Sequence, residues 1–198
     1  WNNISIRQIG EIMRAIVIAI AMVFCTACNT KPQEIVIKNK NMKTLIVYAS
    51  SHGTTEKVAN IIKEKLDSST VQTINLKSKT KIDLSNYEIV IIGGSIHAGS
   101  IQSEVKKFIK DNTITLMERR VALFLCCMNE KEEQTEFNNN YPELLRSHST
   151  YNAIVGGEYI FERMNFIEKF LVRKIAGVSS SVSKLRYTEI DNLVNSLK

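Results

Sequence analysis

The sequence predicts an α/β protein: a doubly wound, five-stranded parallel sheet with helices on both faces. Three observations predict it. From residue 43 to the end, short apolar runs alternate with amphipathic helical patterns. Most of the strand runs are continuously apolar, as strands covered on both faces are. The first run breaks into a hydroxyl-rich loop that opens a helix, and parallel sheets hold ligands at that kind of strand end.

Lys43–Tyr48 reads as the first strand. Thr55–Leu66 is helical, with Val58, Ile61, Ile62 and Leu66 at 3–4 spacing. Val71–Leu76 is a second strand that alternates Val71, Thr73 and Asn75 against Gln72, Ile74 and Leu76. Tyr87–Ile92 is a third, predicted to stop at Gly93-Gly94. Ile101–Lys110 is helical, with Val105, Phe108 and Ile109 apolar. Val121–Cys127 is a fourth strand, and Glu132–Arg146 is partly helical and polar. Tyr151–Val155 is the fifth strand, ended by Gly156-Gly157. Phe161–Ala176 is an amphipathic helix whose stripe of Phe161, Met164, Ile167, Leu171 and Ile175 is expected to pack on the core. Thr188–Leu197 closes the chain as a helix. Three loops then converge at the carboxyl edge: 49–55, 93–100 and 126–137.

In the first loop, Ser50, Ser51, Thr54 and Thr55 offer hydroxyls, Gly53 lets backbone approach a ligand, and the helix N-terminus offers free N–H groups. Together these suit a phosphate. Four hydroxyls and a glycine exceed what capping one helix needs. No Gly-Lys-Ser/Thr follows, so this is not a Walker loop, and the glycines of a dinucleotide fingerprint are absent.

The 198 residues are 44% hydrophobic and 23% charged, ordinary for a globular chain. The net charge is +6, and half of it lies in the first 41 residues, where Arg7, Arg14, Lys31, Lys38 and Lys40 oppose Glu11 and Glu34. The remainder is mildly basic, and no basic block interleaves with aromatics, so no nucleic acid is expected as a partner. Four cysteines in a chain this long make no disulfide framework, and no Cys/His spacing suits a metal. Cys126 is expected in the core. Glu158-Tyr159 reads as a turn after the fifth strand.

Residues 1–41 form a separate region, and residues 42–198 the folded domain. Residues 15–28 carry no charge and end in Cys25-Thr26-Ala27-Cys28. The run is short for a spanning helix but has the proportions of a signal-peptide core, and its end resembles a lipobox. Two expectations follow. If translation starts at Met13, Cys28 is lipidated and the protein is membrane-associated. If it starts at Met42, the segment is an upstream extension and the protein is cytoplasmic.

With these residues in hand, the chain resembles the flavodoxin superfamily over about residues 42–198. Flavodoxins carry Ser/Thr-x-Thr-Gly-x-Thr after the first strand, and Ser50-Ser51-His52-Gly53-Thr54-Thr55 occupies that motif, with His52 in place of a usual threonine. A closer resemblance is to the flavodoxin-like, quinone-dependent protoporphyrinogen dehydrogenase family. Its second loop is similar to Gly94-Ser95-Ile96-His97-Ala98-Gly99. Its last part is similar to Val155-Gly156-Gly157-Glu158-Tyr159 with the basic helix after it, then Tyr187-Thr188. That family often has Arg-Tyr where His97-Ala98 stands.

The resemblance implies a flavodoxin-like fold and non-covalent FMN. Ser50, Ser51, His52, Gly53, Thr54 and Thr55 would hold its phosphate. Ser95, Ile96, His97, Ala98 and Gly99 would line the isoalloxazine ring, with Cys127, Met128 and Asn129 as the third flavin loop. It also implies an FMN-dependent oxidoreductase passing electrons from an organic, porphyrin-type substrate to a quinone. The alternatives are a flavodoxin carrying electrons to a redox partner protein, or a flavin-binding module without turnover. No catalytic side chain is assigned. The basic face of helix 161–176, with Arg163, Lys169, Arg173 and Lys174, suits an acidic membrane surface or an acidic substrate.

Overall fold

The computed structural model describes residues 43–66, 69–78 and 81–198. The N-terminal region 1–41, with Cys25, Cys28 and the candidate start Met13, lies outside the described residues, as does the alternative start Met42.

The five predicted parallel strands form. They are β1 (Thr44–Tyr48), β2 (Val71–Asn75), β3 (Ile89–His97), β5 (Arg120–Cys126) and β6 (Tyr151–Ile154), in the order β2-β1-β3-β5-β6. A short strand β4 (Ser100–Ile101) pairs antiparallel with the end of β3. A separate two-stranded ribbon joins β7 (Glu158–Tyr159) to β8 (Val182–Ser183). The helices are α1 (Thr54–Lys65), α2 (Ser103–Met117), α3 (Glu133–Asn140), α4 (Glu143–His148), α5 (Phe166–Ala176) and α6 (Tyr187–Leu197).

The strand pleat divides the core. Leu45, Val47, Val90, Ile92, Leu123 and Leu125 point to one face and pack on Val105, Phe108 and Ile109 of α2 and on Phe137, Tyr141 and Leu145. Ile46, Ile91, Phe124 and Ala153 point to the other and meet Val58 and Ile62 of α1 and Ile190, Leu193 and Val194 of α6. All five residues of β1 are buried because strands flank it on both sides and helices cover both faces. Each fully buried Leu, Ile or Val contributes roughly 1.5–3 kcal/mol.

The chain leaves β1 toward β2 and leaves β3 toward β5, so the order reverses between β1 and β3. The loops after these two strands part there and open a crevice.

Several elements differ from the sequence expectation. β3 does not stop at Gly93-Gly94 but runs to His97. The glycines are needed inside the strand: a Cβ on Gly93 would lie 1.9 Å from Phe124 Cζ, and one on Gly94 2.5 Å from Ile101 Cδ1. α2 continues past Lys110 to Met117, with Leu116 as a further buried residue. The segment 132–146 breaks at Tyr141-Pro142. Tyr141 is extended (φ −106°, ψ 129°), as a residue before proline tends to be.

The predicted helix 161–176 is a 3-10 turn, Phe161–Arg163, followed by α5, which holds no buried residue. Only Phe161 of its apolar stripe reaches the core; Ile167, Leu171 and Ile175 are exposed. Spacing announced an apolar face, but the sheet face it was to cover is already filled by α1 and α6.

Candidate functional site

β1 ends at Tyr48, and the chain turns through Ser50–Gly53 into α1. Ser50 Oγ accepts from Gly53 N–H at 3.1 Å and closes the turn. Gly53 is the N-cap residue at φ +94°, a conformation that favours glycine. The next residue, Thr54, has its hydroxyl oxygen buried without a hydrogen-bond partner. An orphaned buried hydroxyl at a helix N-terminus is what a bound oxyanion would satisfy. Two cations brace the loop. Lys77 Nζ donates to Ser51 Oγ at 2.6 Å, and Arg163 Nη1 donates to His52 O at 3.1 Å. Arg163 lies so close over Gly53 that a Cβ there would meet Nη1 at 1.9 Å.

The second loop is a hairpin. His97 pairs with Ser100, so Ala98 and Gly99 form a two-residue turn, with φ of +47° and +78°. That is the backbone a type I′ turn requires, and Ala98 adopts it at a steric cost of about 1–2 kcal/mol. The hairpin is pinned from two sides. Gln102 Oε1 accepts from Ser95 N–H at 3.0 Å, while its Nε2 donates to Ser95 Oγ at 2.6 Å. Buried Asn140 accepts from Ile101 N–H at 2.9 Å and donates to Gly99 O at 3.2 Å.

His97 Nε2 lies 3.1 Å from Ser95 Oγ. Partial desolvation in the loop, with His52 and Lys77 nearby, moves His97 below its ordinary pKa, Glu168 opposing. Its ring is therefore neutral near pH 7, and the Ser95 hydroxyl can donate to Nε2.

The third loop follows β5. Both cysteines are buried. Burial pushes the Cys126 thiol up to about 12, a hydrogen bond with Thr55 opposing it. Burial also raises Cys127, against a hydrogen bond to Asn129. Both thiols are therefore held protonated at neutral pH. A Cβ on Gly157 would lie 3.0 Å from Met128 Cγ, so the glycine lets β7 run flush under this loop.

These loops line one cleft of about 440 Å³, within the range of small-molecule sites. Ser50, Ser51, His52, Thr54, Thr55, Ser95, Ile96, His97, Ala98, Gly99, Cys127, Met128 and Asn129 all border it. Gly53 instead faces a groove behind the loop. Cys126, read as core, is 4% exposed and also reaches the cleft wall. Glu158 is taken up by Lys57 at 2.7 Å, a pair that ties β7 to α1.

Sequence reasoning missed the other side of the cleft. Glu168, Leu171, Val172 and Ile175 of α5 line it. Glu168 Oε2 lies 3.2 Å from His52 Nε2 and accepts from Asn165 N–H at 2.8 Å, within a capping box. The bond from Asn165 is the chief cause holding the Glu168 carboxyl below its ordinary pKa. The Asn165-x-x-Glu168 spacing was a readable helix-start signal. Lys77 and Asn140 gave none, since their partners come from distant turns of chain, and Gln102 gave none because its bonds to Ser95 exist only once the hairpin folds back.

FMN fits this arrangement. The orphaned hydroxyl and the helix N-terminus suit its phosphate. A slot between the hairpin and Cys127–Asn129, with mostly apolar walls, suits a flat ring.

The Flavodoxin domain family model matches residues 45–183. Protoporphyrinogen IX dehydrogenase [quinone] of Escherichia coli (strain K12) is 24% identical over 166 residues, covering 78% of this chain and 92% of that protein. Among solved structures, rubredoxin oxygen:oxidoreductase of Desulfovibrio gigas has a TM-score of 0.48 at 16% identity. It covers 79% of this chain, which spans only 34% of that one. A flavoprotein in complex with FMN from Lactobacillus acidophilus has a TM-score of 0.39 at 20% identity, covering 59% and 91% of the two chains.

Proposed function

The chain belongs to the flavodoxin domain family, and on that premise we propose that it is an FMN-dependent oxidoreductase of the protoporphyrinogen-dehydrogenase kind. It takes electrons from a reduced, porphyrin-type substrate and delivers them to a quinone. FMN is the cofactor, and when bound it supplies the redox chemistry, while the protein supplies position and electrostatics. Ser50, Ser51, Thr54 and Thr55 would hold the phosphate, with Lys77 and Arg163 bracing their loop. Ser95–Gly99 and Cys127–Asn129 would line the ring and keep water from it. His97 borders the same cleft and would stack on the ring or donate a hydrogen bond to it.

One observation carries the enzyme reading over a carrier. Leu171, Val172 and Ile175 of α5 add an apolar wall to the cleft beyond the cofactor loops. A carrier that meets other proteins at its flavin edge needs no such wall, whereas a flat apolar substrate does.

The test is anaerobic. Protein reconstituted with FMN is mixed with protoporphyrinogen IX, bleaching of the flavin band is followed, and a soluble quinone is then added. Bleaching by the porphyrinogen and recovery with the quinone are expected. If dithionite and the quinone cycle the flavin but the porphyrinogen leaves it oxidised, the chain is an electron carrier.

A further inference from the structure

We propose that the outer face of α5 docks the protein on an anionic lipid bilayer. At 100° per residue the helix divides into two arcs. Glu168, Leu171, Val172 and Ile175 turn toward the cleft. Phe166, Ile167, Phe170, Arg173 and Lys174 occupy the opposite arc. Phe166 is 84% exposed, Ile167 68% and Phe170 54%. Three large apolar side chains side by side in water on an eleven-residue helix are a surface that ordinarily meets something.

Charge identifies the occupant. The helix carries Lys169, Arg173 and Lys174 and one acid, Glu168. That acid is held at the cleft side by Asn165 and His52. The outward arc therefore presents apolar and basic groups only. Lys174 Nζ sits 5.8 Å from the Phe170 ring, so cation and aromatic are presented together. An interfacial helix has this make-up, with apolar groups at the acyl boundary and lysine and arginine among anionic headgroups. A protein partner would need its own acidic and apolar patch to match. The helix is firmly built at both ends for such a load, by the Asn165–Glu168 capping box and by Gly177 in the left-handed region.

Docking here would bring the α5 side of the cleft to the bilayer, where a lipid-soluble acceptor is found. It does not depend on the reaction, because it is read by vesicle binding rather than by flavin bleaching.

The test uses the full chain with FMN and two kinds of vesicle, phosphatidylcholine alone and phosphatidylcholine mixed with phosphatidylglycerol. Co-sedimentation with the anionic vesicles at low salt is expected, weakening as salt rises. Phe166→Ser with Phe170→Ser should lower partitioning at least roughly tenfold. Arg173→Gln and Lys174→Gln should each lower it about fivefold on anionic vesicles. Retained quenching of FMN fluorescence shows that each variant is folded. Hydrogen exchange gives a second readout, since amides 166–176 should slow only when anionic vesicles are present. Equal binding of wild type and variants would overturn the proposal and leave residues 15–28 as the anchor. Protection of 166–176 that needs protein concentration instead of lipid would overturn it too, and would assign the face to a second copy.

Discussion

Thr54 and Thr55 are adjacent and both buried, yet their hydroxyls stand differently. Thr54 Oγ1 is unpartnered, while Thr55 reaches toward the Cys126 thiol. A phosphate at the head of α1 would satisfy the first and compete for the second. Ser50→Ala and Thr55→Ala are expected to weaken FMN binding by roughly 1.5–3 kcal/mol each. That is about ten- to hundredfold in Kd, read by fluorescence quenching. Unchanged affinity in both would remove the phosphate from this loop. Ser50 has a further effect, since losing its bond to Gly53 N–H loosens the turn itself. The cysteines make the opposite case. With the Cys126 thiol near 12 and Cys127 also raised, both are protonated and packed. Replacing both with alanine should cost stability but leave flavin reduction intact. Lost turnover at full FMN occupancy would show instead that a thiol takes part.

Among the elements, the β3–β4 hairpin owes its place to groups on helices. Asn140 of α3 bonds to Ile101 N–H and Gly99 O, and Gln102 at the head of α2 bonds twice to Ser95. A two-residue turn with a strained Ala98 would otherwise sample other conformations. Asn140→Ala leaves buried backbone groups unpaired and is expected to cost roughly 1–3 kcal/mol in urea unfolding. It should also weaken FMN, because Ser95–Gly99 would no longer be held open. A variant with native stability would mean that solvent replaces Asn140 freely. α5 is the contrasting element: its ends are capped, its middle is hardly packed, and its apolar residues serve the cleft on one arc and the exterior on the other.

At the scale of the whole molecule, the sheet is a finished core and the cleft an opening at its edge. Ligand binding therefore adds to a fold that already stands. Free FMN at a hundred times its Kd should stabilise the protein by about 2.7 kcal/mol. For a domain of this size that is a rise in Tm of roughly 5–10 °C, measurable by a thermal scan with and without FMN. No shift would contradict binding to the native state. The five strands, the helices between them and the hydroxyl loop were readable in the sequence because each rests on near neighbours: apolar runs, 3–4 spacing, a glycine after hydroxyls. His52, Ser95–Gly99 and Cys127–Asn129 could be assigned to one rim because parallel strands bring their carboxyl ends together. The sequence by itself thus determined which loops meet. Tertiary structure alone decided what faces them. Whether Gly93-Gly94 ended a strand or let Phe124 pass, whether Lys77 and Arg163 flanked the loop, and whether the stripe of α5 was buried all depended on segments distant in sequence. Local periodicity reports that a helix has an apolar face; only the packed chain reports whether any core remains for that face to cover.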